Sequence, residues 1–244
     1  MRIEALAVRM RNRTPLEAAD LGARLCQSAS RAIYTCYLAV AVPVAALCLA
    51  SYEIADWLPP LALWWAKPWL DRTVLFVLSR AAFGQQTTLR DVWEAQRQIW
   101  WGQLFLTLTM RRLSLWRSFT QPVYQLEGLS FTEARERVSQ VRRHKAGAAL
   151  RMTSAFSFAE TALSVALMSL VFWFAPLEQA PSWGDFFSGE PSTFVQFALY
   201  LPYTLVVLFL EPFYVAAGFA MYLNRRAELE AWDIEQEFRR AFPE

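Results

Sequence analysis

Histidine, cysteine and glycine are all scarce in this chain of 244 residues, and each shortage closes off a class of chemistry. His144 is the only imidazole, so neither a histidine-based triad nor a histidine metal centre is expected. Cys26, Cys36 and Cys48 form an odd set without CxxC spacing, which argues against a zinc site and against a disulfide framework. The eight glycines compose no GxGxxG fingerprint and no P-loop. Charge is scarce as well: only 19% of residues are Asp, Glu, Lys or Arg, against 55% apolar, and the mean hydropathy is +0.20. No Lys or Arg lies between Met152 and Asn224. That distribution excludes a disordered chain, a nucleic-acid binder with a long basic face and a disulfide-framed secreted domain. It points to a polypeptide that lives in a membrane.

What is present is a set of long apolar runs separated by arginines. Residues 30–51 read as a first membrane helix. The run starts too far from Met1 for a cleaved export signal, and Leu47 stands where a lipoprotein site needs a small residue. Residues 58–83 are long enough to cross about 30 Å of hydrocarbon, yet carry Lys67, Asp71 and Arg72. Pro68 lacks an amide hydrogen and crowds the carbonyl of Trp64, so a kink or break is expected there. Residues 153–176 and 193–222 are cleaner spans, joined by the acidic stretch Leu177 to Ser192.

Positive charge stays on the cytoplasmic side, so the two loops without Lys or Arg, near 51–60 and 177–192, belong outside. Four crossings with both termini cytoplasmic satisfy this. Residues 99–110, about a dozen apolar positions between arginines, have the length of a re-entrant or interfacial segment. The alternative makes them a fifth span and moves part of 58–83 onto the surface. The expected fold is therefore an all-α polytopic bundle in a single membrane domain.

Around the spans, residues 1–29 read as an interfacial helix with Leu16, Ala19, Leu21 and Leu25 on its apolar side, started by Thr14-Pro15-Leu16-Glu17. Residues 111–151 form a cytoplasmic insert with nine basic residues against Glu127, Glu133 and Glu136. Ser130 and Glu133 have capping-box spacing, which predicts a helix from Phe131 to near Lys145, with Gly147 separating it from the next span. Residues 223–244 read as a tail helix, with Ile234, Phe238 and Phe242 on one side.

Ionisable residues within spans are the best functional hints in such a sequence. Glu160 lies roughly 10 Å into its span and Glu211 roughly 16 Å from the same side. The apolar neighbours of Glu160 contribute about −3 to −5 kcal/mol of insertion free energy, whereas a central acid costs about +2.5 to +3.5. Each glutamate should therefore face the bundle interior, protonated or paired with Lys67, Arg72 or Arg80, and Asp71 completes the candidate polar network. A structural pair and a proton or substrate pathway both remain open. Ala155, Ala159, Ala162 and Ala166, like Ala216 and Ala220, have small-residue spacing for close helix contact. Trp57, Trp64, Trp65, Trp69, Trp100, Trp101, Trp116 and Trp173 read as interfacial anchors. Arg135, Arg137, Arg142, Arg143 and Lys145 are candidate contacts for anionic lipid, at about 1 kcal/mol per charge. No residue pattern implies catalysis, a metal or a cofactor.

Several strings, among them Trp64-Trp65-Ala66-Lys67-Pro68, Ser79-Arg80-Ala81-Ala82-Phe83-Gly84, Arg117-Ser118-Phe119, Leu126-Glu127-Gly128 and Leu229-Glu230-Ala231-Trp232-Asp233-Ile234-Glu235, resemble a family of uncharacterised bacterial inner-membrane proteins. That family is itself distantly similar to the membrane domain of some glycerophosphodiester phosphodiesterases. The resemblance implies an accessory or assembly role, with other membrane or cytoplasmic proteins as partners and a MoxR-type ATPase system among them. It supplies no catalytic residues, because the acidic and histidine metal ligands of the soluble enzyme have no counterpart here. A scaffold that docks partners through the insert and the C-terminal helix is the first expectation, and a small-solute or proton-coupled transporter using Glu160 and Glu211 the second. A cysteine introduced near Val92 should be labelled only from the cytoplasmic side; labelling from the periplasm would overturn the four-span arrangement.

Overall fold

A computed structural model describes residues 13–102, 104–109, 112–174 and 193–230, and 84% of them are helical with none in a strand. The stretch Leu177 to Ser192 and the tail beyond Glu230, with Ile234, Phe238 and Phe242, lie outside the described residues. The helices are α1 (Pro15–Ser28), α2 (Ser30–Ala50), α3 (Leu58–Ala81), α4 (Leu89–Glu94), α5 (Leu104–Leu108), α6 (Arg117–Leu126), α7 (Phe131–Arg142), α8 (Ala146–Trp173) and α9 (Thr193–Glu230). Three stretches are long and apolar enough to cross a membrane: Ser30–Glu53, Ala146–Leu170 and Ala198–Glu230.

The starts of α1, α4 and α7 are fixed by side chains that satisfy amides the helix leaves without partners. Thr14 and Glu17 exchange hydrogen bonds of 3.0 and 3.4 Å. The amides of Thr88 and Ser130 donate to Asp91 (2.8 Å) and Glu133 (3.0 Å). Hydrogen bonds from Thr88 hold the Asp91 carboxylate below its usual range, as those from Ser130 do for Glu133. Because both folded values are depressed, the stability these caps contribute is present above the ordinary carboxylate range and lost as pH falls through the folded values.

α9 is the hub. It packs on α1, α2, α3, α6, α7 and α8, and 72% of its most apolar stretch is buried. Two glycines allow the closest approaches. A Cβ at Gly22 of α1 would strike the backbone of Ala216 and Ala217, and a Cβ at Gly218 of α9 would strike Ser118 of α6. The chain before α1 is tied down too: the Asn224 amide accepts from the Arg13 N–H (3.1 Å) and donates to the Arg13 carbonyl (3.0 Å).

Several boundaries differ from those read in the sequence. α3 runs unbroken through Pro68, its halves held by α2, α6 and α9. The stretch 99–110 contains a π-helical turn, Arg97–Trp101, and then α5. The five residues of α5 extend about 7.5 Å, too little to cross by themselves. α6 is not part of a solvated insert: Arg117 to Val123 are all buried, against α3 and α9. α7 stops at Arg142 because Arg143 leaves the helical region, with ψ 123°, and His144 takes a positive φ of 64°. Gly147 therefore falls in the first turn of α8 instead of separating two helices. α9 continues to Glu230 past the expected end of its span at 222. On α1 the buried side is Ala18, Ala19, Gly22 and Cys26, and Leu16 is exposed; small residues won because α9 approaches so closely.

α8 is the opposite of α9. No residue of its described part beyond Met152 is buried, and Phe158, Val165, Leu170 and Trp173 are exposed.

Gly22→Ala and Gly218→Ala should each cost about 1 to 3 kcal/mol by overpacking. Gly147→Ala, where a Cβ meets nothing within 4 Å, should cost nothing. Thermal unfolding in a mild detergent checks this, and equal midpoints for all three would contradict the close-approach assignment.

Candidate functional site

Lys67 and Asp71 stand four residues apart on α3 and so share one face. That face meets α6, α8 and α9, and the five ionisable groups gathered there alternate between acid and base. Glu160 of α8 lies 2.6 Å from the Lys67 ammonium, and Glu211 of α9 lies 3.1 Å from it. Arg117 of α6 donates to the other oxygen of Glu211 and pairs with Asp71 at 3.0 Å, there without hydrogen-bond alignment. The order Glu160, Lys67, Glu211, Arg117, Asp71 thus runs acid, base, acid, base, acid across four helices. Asp71 is wholly buried, Glu211 and Lys67 are 3% and 5% exposed, and only Glu160 reaches a surface. Aromatic faces line the cations: Tyr203 lies 5.9 Å from Lys67 and Tyr214 5.2 Å from Arg117.

Beside this chain is a cavity of about 540 Å³ lined by Trp64, Lys67, Arg112, Glu160, Tyr203 and Glu211, among others. Ionised groups facing a cavity can bind a complementary ion or pass a proton, while those sealed behind it can only hold helices together. Glu160 and Lys67 are of the first kind and Asp71 of the second.

Of the candidates in the polar network, Lys67, Asp71, Glu160 and Glu211 come together, whereas Arg72 and Arg80 do not join them. Arg72 donates to the carbonyls of Ile99 and Gln98 and, at 3.1 Å, to the Thr107 hydroxyl. It thereby straps the π-helical turn and α5 to α3. Arg80 stacks over Phe76 and stands 3.9 Å from Asp91. Sequence reasoning missed Arg117, the second cation of the chain. Its signal was available: from Arg117 to Leu126 it is the only charged residue, as expected of a buried helix with one purposeful charge.

The tryptophans divide as well. Trp57, Trp65, Trp101 and Trp173 are exposed, whereas Trp100 donates to Thr73 (3.0 Å), Trp69 to the Trp100 carbonyl (3.3 Å) and Trp116 to the Ala146 carbonyl (3.0 Å).

The basic residues of α7 and the turn after it split into two groups. Arg137 pairs with Glu127 at 3.1 Å and with Glu230, and Lys145 pairs with Glu228 at 2.9 Å, so both clasp the end of α9. Arg135, Arg142 and Arg143 have no acidic partner among the described residues. Arg142 lies instead 3.7 Å over the Trp116 ring. No cluster of three or more His, Cys, Asp or Glu suited to a metal occurs among the described residues.

No family model, no curated protein and no solved structure matches the chain.

Removing one member of a buried ionic chain strands its partner in a low dielectric, at a cost of about 3 to 5 kcal/mol. Arg117→Met, which strands Asp71 and leaves Glu211 with Lys67 alone, should fall in that range or abolish accumulation in the membrane. Glu160→Gln should cost less, because its carboxylate is partly open to the cavity. Unfolding midpoints and membrane levels of the two variants check the order, and a fully stable Arg117→Met would contradict it.

Proposed function

We propose that the protein is an accessory subunit of a bacterial inner membrane that holds a transmembrane helix of a partner protein against α8. The observation that carries this reading is the outer side of α8. Ala155, Ala159, Ala162, Ala166 and Ser169 follow spacings of four, three, four and three, the seam of two closely packed helices. All but the half-buried Ala159 are exposed. Small residues contribute little to partitioning into lipid, and their value lies in letting another backbone approach. Among the described residues this chain supplies no helix to that seam. Within the insert α6 is packed in the bundle and α7 is clasped to α9, so α8 joins the insert and the C-terminal helix as a docking surface in this reading.

In this reading α2, α3, α8 and α9 are four crossings with both termini cytoplasmic. α3 is the inner span, its charges answered by neighbours and most of its surface from Lys67 to Ser79 buried, while Leu61, Trp64 and Trp65 face outward. The polar helix α6 enters from the cytoplasmic side, and residues 99–110 rest on α3 without crossing. The family resemblance favours partners from a MoxR-type ATPase system and its neighbouring membrane proteins.

The cavity beside Glu160 and Glu211 favours a second reading, a small-solute or proton-coupled carrier. The two separate experimentally. The triple variant Ala155→Leu, Ala162→Leu, Ala166→Leu changes only exposed positions, so it should fold like the wild type yet lose its stoichiometric partners in mild-detergent purification. Retention of those partners would overturn the α8 assignment, and a wild type that purifies alone and shows solute-dependent thermal shifts would favour the carrier.

A further inference from the structure

Next to the cavity beside Glu160, and sharing Ser114 and Arg117 with it, lies a second one of about 410 Å³ between α3, α6 and α7. Its walls carry four arginines, Arg72, Arg117, Arg135 and Arg142, and among the described residues no carboxylate. From this juxtaposition we infer a binding site for a phosphate-type oxyanion carried on a larger organic group.

The four guanidiniums have different duties. Arg117 faces the buried acids Asp71 and Glu211, and Arg72 is engaged with the carbonyls of Ile99 and Gln98. These two form the fixed positive floor. Arg135 and Arg142 of α7 have no acidic partner among the described residues and form the mouth. Arg142 is held by the face of Trp116, which restricts a flexible side chain without using its hydrogen-bond donors. A guanidinium presents a fork of N–H donors matched to two oxygens of one phosphate. Two such forks above a positive floor are complementary to a multiply charged oxyanion and oversized for chloride.

Size and lining identify the rest of the ligand. The volume falls in the range of sites for small organic molecules, about 300 to 1,000 Å³, so a bare phosphate would leave most of it empty. Pro68, Tyr124, Phe131 and Val138 supply an apolar wall, and Phe131 is exposed at 57%. The site therefore takes a phosphate joined to a carbon-rich group, whether the headgroup of an anionic membrane lipid or a free phosphoester. The larger groove of about 1,060 Å³ between α1, α2 and residues 84–90 also carries arginines, Arg24, Arg31 and Arg90. All three are exposed, and among the described residues that groove has no buried arginine comparable to Arg72 and Arg117 beneath them.

The test uses the full-length protein in a neutral detergent and in nanodiscs. Inorganic phosphate and glycerol 3-phosphate are titrated in detergent, and nanodiscs of phosphatidylcholine are compared with nanodiscs that also contain phosphatidylglycerol. The readouts are the thermal midpoint and, for lipid, retention of phosphatidylglycerol in native mass spectrometry. Stabilisation by glycerol 3-phosphate supports a free phosphoester, and selective retention of phosphatidylglycerol supports a lipid headgroup. In either case Arg135→Gln with Arg142→Gln should weaken binding by about tenfold or more, while Arg143→Gln, outside the cavity, should leave it unchanged. Arg135→Gln alone changes an exposed side chain, which guards against a folding defect, and should weaken binding measurably. If no probe acts on the wild type, if phosphatidylcholine is retained as well as phosphatidylglycerol, or if the double variant binds like the wild type, the site does not exist.

Discussion

The fold depends on one electrostatic constraint: five ionisable groups on four helices must reach one another before any of them can be withdrawn from water. An isolated charge is expensive in a low dielectric, and a pair recovers that cost only with close geometry. The alternating order from Glu160 to Asp71 meets the condition by giving both cations two acids each. Such a chain fixes more than energy. Each link joins different helices, so a slip by one turn of α3, α6, α8 or α9 would leave a carboxylate facing apolar side chains. Apolar packing in lipid is weakly directional by comparison, and the charges supply the register.

Packing around α9 follows from the same register. Once Glu211 is fixed, Gly218 two turns further on comes to lie against Ser118, and Ala216 against Gly22 of α1. Further still, Glu228 and Glu230 meet Lys145 and Arg137. One long helix thus carries an ionic link in the bundle, a close-packed middle and an ionic clasp at its end. α8 shares only the first of these, through Glu160, which explains how a helix can belong to the bundle while keeping most of its surface outside it.

The helical, apolar character of the chain was legible from composition and from the lengths of its runs, as were the capping residues of α1 and α7, whose chemistry is local. The inward-facing glutamates were legible because an acid in an apolar run has few alternatives. What sequence could not supply was non-local. Arg117 stood out as the one charge of its stretch, but that it meets Asp71 and Glu211 depends on how α3 and α9 are placed. Pro68 marks a break on local grounds, yet neighbouring helices hold α3 intact. The alanines of α8 and α9 have similar spacing, but Ala216 is used inside the chain and Ala162 is not. Only the arrangement of the other helices distinguishes them.

The central claim, that Arg117 and Glu211 form one ionic unit holding α6 to α9, is tested most directly by a double-mutant cycle in detergent using Arg117→Met, Glu211→Gln and the combined variant. The account predicts that the combined variant is more stable than the sum of the single losses implies, by a coupling of about 1 to 3 kcal/mol. Losses that simply add would contradict it.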